Sequence, residues 1–471
     1  MLQAEIVVIG SGPGGAITAA TLTKAKRDVL LIKNGPHFNL NSCTPYSIEE
    51  IEQKYRGGGV TPAFGNPIIT YVEGCCVGGG SEINSGLYHR IPKETLNKWE
   101  NKFKLKNIGE NDLTPLYKEI EKNICISYLP EEAPMASIKL SDGARKLGWK
   151  SMEVPRWIKY ASGTNGVRQS MTETYIPSFQ NHGGVLLSST KVIKIIKQGK
   201  EWVLIGKKTT SSEQVTIKCR HLFVCGGAIH TPALLRRSSI KRNIGNTLQT
   251  HPTIKVIAKF PEKVNCEGMG VPTHQVKEFA PDFSFGCSVS SKSTLALAML
   301  DNPEYMQEVE KNWEKMAMYY AMIVPKGKGV IRNLPFFNDP FVKYSLKECD
   351  IELLAKALRN ICLLLFEAGA ESIYPSIRGF GVLKGVDDIN QIPRLLPRDK
   401  TNIMTIHLMS SCPMGEDEKI CATDSFGKVY GYENLYINDG SLLCSAPGVN
   451  PQGSIMVVAL RNANHFLENH A

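Results

Sequence analysis

The chain has 471 residues, of which 42% are hydrophobic and 21% are charged, and its net charge is +10. This length and composition predict an ordinary globular protein of two closely joined domains and exclude the disordered and fibrous classes. The positive charge is spread along the chain, without a basic stripe carrying interleaved aromatic residues, so nucleic acid is not expected as a partner. A solvated basic exterior accounts for the excess charge; attraction to an anionic substrate or a membrane surface stays open.

The 13 cysteines are scattered, with no Cys-x-x-Cys pair and no Cys/His cluster at zinc spacing. Neither a disulfide framework nor a metal site is therefore expected. The sequence also lacks an apolar run of about eighteen residues, and its first strand begins too close to Met1 for a secretory signal peptide. We therefore expect a cytoplasmic protein without a transmembrane segment.

The chain begins with a βαβ pattern. An apolar strand at residues 5–9 is followed by an alanine- and leucine-rich helix at 16–25 and by a second apolar strand at 29–32. The turn before the helix has the pattern Gly-x-Gly-x-x-Gly, which predicts dinucleotide binding in this context. The phosphates are expected at the N-terminus of the helix, next to Pro13 and Gly14.

Each glycine of this turn has an expected task. Gly10 permits the tight turn, Gly12 lets the backbone approach a pyrophosphate, and Gly15 allows close packing of the helix. About 20 residues on, the position of the acidic residue that usually accepts from the ribose hydroxyls is occupied by Lys33. Lysine only donates, so either Asn34 accepts instead or Lys33 donates to a ribose oxygen. A lysine here also fits the 2′-phosphate of NADP.

A second glycine-rich segment favours FAD over NADP. Residues 74–84 read Gly-Cys-Cys-Val-Gly-Gly-Gly-Ser-Glu-Ile-Asn. Consecutive glycines place bare backbone N–H groups beside a ligand, and Ser81 can donate to phosphate. A nicotinamide-binding fold does not need such a segment. Taken alone, a flexible glycine turn is the alternative interpretation.

The remaining elements alternate between strands and helices. Strands are predicted at 185–188, 192–196, 202–207, 215–218 and 222–225, then a helix after Gly226-Gly227, helices at 304–321 and 351–368, a strand at 435–438 and a long helix from about residue 454. Some apolar residues of the two middle helices can line a pocket, but their helical spacing is more typical of core: Met318, Met322, Leu363, Leu364 and Phe366.

The C-terminal quarter carries the candidate catalytic residues. His407 begins a segment that reads His-Leu-Met-Ser-Ser-Cys-Pro-Met-Gly, and Asn450 lies just before the last helix. Oxidation of an alcohol needs a group that holds or removes the hydroxyl proton, and an imidazole titrates near neutral pH. Asn450 can bond the hydroxyl oxygen, while the helix N-terminus can support an anionic reduced flavin. For His407 taken alone, a packed core histidine is the alternative.

In the order and content of four blocks, the sequence resembles the glucose–methanol–choline (GMC) oxidoreductase family. The blocks are the two glycine-rich segments, the stretch from Gly226 through Leu235 with His251-Pro252 shortly after, and the C-terminal segments at 407–415 and 431–451. Within the family, the Gly-Val-Asn-Pro sequence at 448–451 most resembles cholesterol oxidases and long-chain fatty alcohol oxidases. This tilts the expected substrate toward a lipophilic alcohol or sterol.

The resemblance implies an FAD-dependent oxidoreductase that acts on CH–OH donors, with His407 as general base or hydrogen-bond partner and Asn450 beside it. Some family members attach FAD through a histidine at the position of Ile83, so non-covalent FAD is implied here. The residues expected to hold FAD are Gly10, Gly12, Pro13, Gly14, Gly15, Lys33, Asn34, Gly78, Gly79, Gly80, Ser81, Asn84, Val192, Gly226, Gly227, Asp439, Gly440, Asn450 and Pro451.

The implied fold is α/β, with a doubly wound FAD-binding domain and an inserted α+β substrate domain whose antiparallel sheet lies under helices. We expect the FAD domain to comprise residues 1–92, 181–251 and 401–471, and the substrate domain residues 93–180 and 252–400. A flavin-dependent lyase or decarboxylase, a non-catalytic flavin-binding protein and an NADP-dependent reductase are the rival functions. The electron acceptor stays open between oxygen, a quinone and a protein.

Overall fold

The computed structural model describes residues 1–160, 166–270 and 272–470. The α-helices are α1 (Pro13–Lys24), α2 (Ile48–Lys54), α3 (Lys93–Phe103), α4 (Glu110–Asn123), α5 (Met135–Lys146), α6 (Tyr175–Asn181), α7 (Gly227–Arg237), α8 (Lys292–Met299), α9 (Met306–Asn312), α10 (Glu348–Glu367) and α11 (Gln452–Asn469). The strands are β1 (Leu2–Ile9), β2 (Val29–Ile32), β3 (Thr61–Ala63), β4 (Ile69–Tyr71), β5 (Ile126–Ser127), β6 (Ser151–Glu153), β7 (Arg156–Tyr160), β8 (Gly166–Arg168), β9 (Val185–Leu187), β10 (Thr190–Gln198), β11 (Glu201–Lys208), β12 (Gln214–Val224), β13 (Gln249–Thr250), β14 (Thr253–Lys259), β15 (His274–Val276), β16 (Phe283–Cys287), β17 (Met316–Ile323), β18 (Lys328–Arg332), β19 (Phe341–Ser345), β20 (Ser372–Pro375), β21 (Ile403–Thr405), β22 (Leu408–Met409) and β23 (Leu435–Ile437).

The first sheet holds the dinucleotide-type core. Its strand order is β10-β11-β12-β1-β2-β9, with β23 also paired to β12. The central strands β12, β1, β2, β9 and β23 pair in parallel, while β10 and β11 form an antiparallel extension. Strand β2 is buried along its whole length, as expected for a strand of a parallel sheet that is covered on both faces.

Helix α1 crosses between β1 and β2 and packs against α11. It begins at Pro13, which occupies the first helical position, where the missing N–H and the fixed φ of proline cost nothing. The predicted helix at 16–25 therefore starts three residues earlier than the apolar pattern indicates. This shift places the N-terminus of α1 directly at the glycine turn.

The second sheet is larger and mainly antiparallel. Its order is β3-β4-β21-β14-β17-β16-β15-β6, with β20 paired to β14. Helices α5 and α10 pack on it, and their apolar faces form a second core with its inner residues. The α/β fold with an antiparallel sheet under helices is thus confirmed. Strands β3, β4 and β21 join this sheet from within residues 1–92 and 401–471; the division into domains stays a proposal.

The predicted helix at 304–321 is wrong. Only Met306–Asn312 is α-helical, with a 3-10 turn on each side (Pro303–Tyr305 and Trp313–Lys315), and β17 follows at Met316–Ile323 as a central strand of the second sheet. Nearly all of β17 is buried, so its sequence lacks the apolar/polar alternation that marks a half-exposed strand. Met318 belongs to the core as predicted, whereas Met322 lines the main cavity.

No helix within the described residues is both long and apolar enough to cross a membrane. The same part of the chain contains no group of three or more His, Cys, Asp or Glu side chains arranged to hold a metal ion.

Candidate active site

The turn between β1 and α1 has the geometry that a pyrophosphate needs. Gly10 has φ of +105°, and a Cβ at this position would overlap the carbonyl oxygen of Cys225. Added Cβ atoms at Gly14 and Gly15 would collide with the backbone of Asn438 and Gly10, whereas one at Gly12 would meet nothing within 4 Å. Three of the glycines therefore let backbone segments pack together. Gly12 instead leaves open space in front of the N-terminus of α1.

The second glycine segment faces this opening. Gly78 and Gly79 both have positive φ, of +86° and +58°, which glycine adopts without steric cost. A Cβ on Gly79 would lie 3.1 Å from Gly12 Cα and 4.0 Å from Lys33 Nζ. The two glycine turns and the Lys33 ammonium group thus border one space.

A cavity of about 460 Å³ extends from this opening to the second sheet. The predicted site residues that line it are Gly12, Pro13, Gly14, Lys33, Gly79, Gly80, Asn84, Gly226, Gly227, His407, Asp439, Gly440, Asn450 and Pro451. A smaller cavity of about 80 Å³ lies beside it, and Gly10, Lys33, Asn34, Val192 and Gly226 contribute to its wall. The fold therefore brings most of the predicted residues, from four distant parts of the chain, to two adjoining cavities.

Three predicted residues line neither cavity: Gly15, Gly78 and Ser81. Gly15 packs directly against the backbone of Gly10, which leaves no room for a side chain. The Ser81 hydroxyl is fully buried, donates to Gly78 O at 2.9 Å and accepts from Met171 N at 3.0 Å. Ser81 therefore stabilises the glycine turn from behind, and its side chain faces neither cavity.

Lys33 is half-buried, and burial lowers its pKa. Its ammonium group donates no hydrogen bond to any residue that the structure describes. Lys33 lines both cavities, and its Nζ lies 4.0 Å from the position of a Cβ on Gly79. This position beside the glycine turn fits contact with a phosphate of the cofactor.

We expect Lys33→Met to weaken FAD binding by about 10- to 150-fold, since a hydrogen bond to a charged group contributes about 1.5–3 kcal/mol. Lys33→Glu should weaken binding further, because a carboxylate would face the phosphates. Fluorescence titration of the apoproteins measures both, with the exposed Lys24→Met as the matched control. Tighter binding by the glutamate variant would instead show that position 33 meets the ribose.

His407 is paired with a second histidine. Strands β13 and β22 are antiparallel, with Thr250 opposite Leu408. His251, which follows Thr250, therefore meets His407, which precedes Leu408. Their Nδ1 atoms lie 3.0 Å apart, and His251 Nε2 accepts from the N–H of Gly448 at 3.1 Å. His251 is fully buried, which leaves His407 Nε2 as the imidazole nitrogen on the cavity side.

A row of amides continues from His407. Asn450 Nδ2 lies 3.4 Å from His407 Nε2, and Asn450 Oδ1 accepts from Gln275 Nε2 at 3.1 Å. Gln275 Nε2 also donates to the Tyr320 hydroxyl at 3.0 Å, and Gln275 Oε1 lies 3.0 Å from His89 Nε2. Gln275, on β15 of the second sheet, therefore holds Asn450 in place.

Two proton arrangements are possible along this row, and they differ at His407. In the first, Gly448 N–H donates to His251 Nε2, so His251 donates from Nδ1 and His407 carries its hydrogen on Nε2, where it faces another donor, Asn450 Nδ2. In the second, His407 Nδ1–H donates to His251, and His407 Nε2 accepts from Asn450, but the Gly448 amide faces His251 Nε2–H and lacks an acceptor. Each mismatch costs about 1–3 kcal/mol. His407 can thus act as a donor in the first arrangement and as a base in the second.

Electrostatics keep both imidazoles neutral. Burial, followed by the charge of Lys277, lowers the pKa of His407 to about 3, and burial with the neighbouring His407 lowers the pKa of His251 well below its usual range. Lys277 Nζ is buried and has no hydrogen-bond partner among the described residues; burial lowers its own pKa to about 8.

This neutrality predicts the pH profile. Because the base form of His407 persists far below the ordinary histidine pKa, we expect kcat/KM for flavin reduction to show no acidic loss near pH 6.5. The rate should stay level down to the pH at which the protein unfolds, which circular dichroism on the same samples locates. An acidic limb with a midpoint near 6.5 in folded protein would contradict a buried, neutral His407.

Asp439 and Asn84 fix the walls of the cavity rather than offering free groups. Asp439 accepts from Gly227 N at 2.8 Å and from the hydroxyls of Thr231 and Ser441, both at 2.5 Å. Asn84 Nδ2 donates to Gln452 Oε1 at 2.5 Å at the start of α11. Asp439 ties β23 to α7, and Asn84 ties the second glycine segment to the helix that follows Asn450.

Several residues of the site had no assigned role from the sequence. His251 stood in a recognised motif, and its position directly before a proline was the available signal. Gln275, Lys277 and Tyr320 carried none, because they lie on strands, or in the case of Lys277 just after one, whose pairing brings them to the site only in three dimensions.

Comparison with known proteins agrees with this geometry. Family models described as GMC oxidoreductase match residues 51–253 and 334–459. The chain is 38% identical over 481 residues to the uncharacterized GMC-type oxidoreductase y4nJ of Sinorhizobium fredii, covering 99% of this chain and 95% of the relative. It is 25% identical over 508 residues to the long-chain-alcohol oxidase FAO3 of Arabidopsis thaliana, covering 97% of this chain and 67% of the relative.

Solved structures show the same fold. The crystal structure of pyridoxine 4-oxidase from Mesorbium loti superposes with a TM-score of 0.78 at 16% sequence identity, and the match covers 99% of this chain and all of the other. At this identity the likeness speaks for the fold alone.

Proposed function

Because the chain belongs to the GMC oxidoreductase family, we propose that it binds FAD non-covalently and oxidises a lipophilic alcohol at its CH–OH carbon. The observation that carries the proposal is the single cavity that joins the glycine turns at α1 to His407 and Asn450. A dinucleotide cofactor and an alcohol would meet in this one cavity. The membership itself makes the chain an oxidoreductase of a flavoenzyme family.

The residues present fit FAD. The open space in front of Gly12, the N-terminus of α1 and the ammonium group of Lys33 meet at one point, which suits a pyrophosphate. The smaller cavity, walled by Val192 and Asn34, suits the adenosine half. The opposite arm of the main cavity leads past Gly80 and Asp439 to His407, where a flavin ring would accept hydride.

Non-covalent attachment has a direct test. Ile83 lies in the wall of the main cavity and has no nucleophilic atom, so it cannot form the bond that a histidine forms at the matching position of some relatives. We expect acid precipitation of the purified yellow protein to release intact FAD into the supernatant. Colour that stays in the pellet after denaturation would disprove this part of the proposal.

The side chains suggest how the alcohol is held. With its hydroxyl between His407 Nε2 and the Asn450 amide, the substrate oxygen would have a partner on each side. The hydroxyl proton would pass to His407 Nε2 in the tautomer that is protonated at Nδ1, and FAD, when bound, would supply the two-electron acceptor for the carbinol carbon. A general base contributes about 3–5.5 kcal/mol.

The wall composition supports an apolar substrate. The cavity lining includes nine apolar or aromatic side chains, beside polar ones such as Tyr46, Ser288 and Thr294; the nine are Ile51, Val72, Leu87, Trp157, Val289, Met322, Met404, Ile406 and Ile455. Burial of each methylene of an alkyl chain there contributes about 0.8 kcal/mol. A medium or long alkyl alcohol therefore gains more from this site than a sugar does.

An anaerobic alcohol panel tests the proposal. Purified holoprotein is mixed without oxygen with primary and secondary alcohols of increasing chain length, a sterol and a sugar, while the absorbance of oxidised flavin is followed. We expect loss of this absorbance with alkyl alcohols and a rate that rises with chain length. A flavin that none of these compounds bleaches would overturn the proposal in favour of a lyase or a non-catalytic flavoprotein.

A further inference from the structure

The wall of the main cavity contains a second lysine besides Lys33. Lys255 lies on β14 in the second sheet and lines the cavity together with His407 and Asn450. Within the described residues its ammonium group makes no hydrogen bond, and no carboxylate lies within ion-pair distance of it. Against the effect of burial, the nearby Asp301 raises the pKa of Lys255 through its charge without contacting it, and accepts a hydrogen bond from Asn402 at 3.1 Å.

Strand pairing fixes where this charge sits. Lys255 is directly opposite Tyr320 on the antiparallel strand β17, so the two side chains leave the same face of the sheet about 5 Å apart at Cβ. The Tyr320 hydroxyl bonds Gln275, which bonds Asn450. Lys255 is therefore the strand neighbour of Tyr320, and two hydrogen bonds connect Tyr320 through Gln275 to Asn450, the residue proposed to hold the reacting hydroxyl.

The other charged groups of the cavity wall belong to the cofactor end or are already paired. Lys33 borders the glycine turns, Glu73 contacts Arg56 and His230, and Asp439 is saturated with hydrogen bonds. Around Lys255 the wall offers apolar groups and neutral hydroxyls.

Lys255 is half-buried, and a bound anion would stabilise an ammonium group that has no partner there. Burial lowers the pKa of Lys255 to about 8, so the side chain is still mainly charged at neutral pH. Lysine stems also cover apolar surface while the ammonium group reaches solvent. Here, however, the side chain lines the same cavity as the proposed hydroxyl site.

We propose that Lys255 binds an anionic group on the substrate, so that the preferred alcohol carries a carboxylate or phosphate at the end away from the CH–OH carbon. This inference deepens the proposed function. It makes the substrate an amphipathic hydroxy acid or phosphate rather than a purely apolar alcohol. The apolar wall between Lys255 and His407 would then hold the connecting carbon chain.

Ligands that cannot be oxidised test the inference apart from the reaction. Holoprotein is titrated with straight-chain alkanoates from butanoate to decanoate, with the matching primary amides and with monoalkyl phosphates, and binding is read from the perturbed flavin spectrum. We expect the best alkanoate or alkyl phosphate to bind about 10- to 100-fold more tightly than its amide, as a charge-assisted hydrogen bond implies. The two anion series then show which headgroup is preferred.

The variant Lys255→Met should abolish this preference, and Lys255→Arg should retain it. Lys259→Met is the matched control, since Lys259 lies on the same strand but pairs with Glu308 at 2.8 Å outside the cavity. Equal affinities of acid and amide in the wild type would overturn the inference whether or not the variants fold. So would a preference that persists in Lys255→Met.

The two proposals fail separately. An anion preference that depends on Lys255, in a protein whose flavin no alcohol bleaches, would leave the anion site standing and remove alcohol oxidation. Bleaching by neutral alcohols without any anion preference would leave alcohol oxidation standing and remove the anion site.

Discussion

His407→Ala is expected to slow anaerobic flavin reduction by about 10²–10⁴-fold, the range that general bases contribute, while FAD content and folding change little. The imidazole faces the cavity through Nε2 and is the basic group beside Asn450. Stopped-flow reduction of FAD-replete protein measures the effect. Asn450→Ala should cost less, and the double variant less than the product of the two singles, because both side chains act on one hydroxyl.

A glutamine variant separates the two roles of His407. The amide of His407→Gln can still donate a hydrogen bond but cannot take a proton. A rate close to that of His407→Ala indicates a general base, whereas a rate close to wild type indicates a hydrogen-bond donor. If His407→Ala reduces its flavin within about threefold of wild type, His407 is a packed core histidine and the proposed mechanism is wrong.

Gly12→Val is expected to yield a folded but colourless protein. Gly12 has φ of −68°, which valine adopts readily, and its Cβ would meet no protein atom within 4 Å. The added methyl groups project into the space assigned to the pyrophosphate. We expect a loss of about 3 kcal/mol or more in FAD affinity, roughly 150-fold, at the upper end of the cost of overpacking a filled site.

Gly15→Ala is the contrasting variant. A Cβ at Gly15 would collide with the backbone of Gly10, so this change should lower the melting temperature of the apoprotein, whereas Gly12→Val should not. Calorimetry of both apoproteins measures the change in stability, and FAD titration of each variant that folds measures the change in affinity. Normal FAD content in Gly12→Val would show that the cofactor does not bind at the glycine turn.

The parts of the fold that could be predicted from the sequence have local causes. The βαβ opening and the glycine turn follow from contiguous apolar runs and from a short motif, and the structure brings the two glycine segments face to face as a dinucleotide site requires. The helix that ends the chain was predicted to within two residues at its start. Each of these features depends on neighbours in the sequence.

What could not be predicted depends on long-range pairing. The buried strand β17 contains helix-forming methionines and no alternation, so only its place between β14 and β16 makes it a strand. The contact between His251 and His407 comes from the register of β13 with β22. Lys255 is notable only because β14 carries its side chain into the cavity, and nothing in the surrounding sequence signals that position.

The central claim, hydride transfer from a CH–OH carbon to flavin, is tested most directly by anaerobic single turnover with the best alcohol of the panel, unlabelled and deuterated at the carbinol carbon. We predict that the deuterated alcohol bleaches the flavin more slowly, and that one aldehyde or ketone forms for each flavin reduced. Product formed without bleaching, or alcohol bound without either change, would contradict the claim.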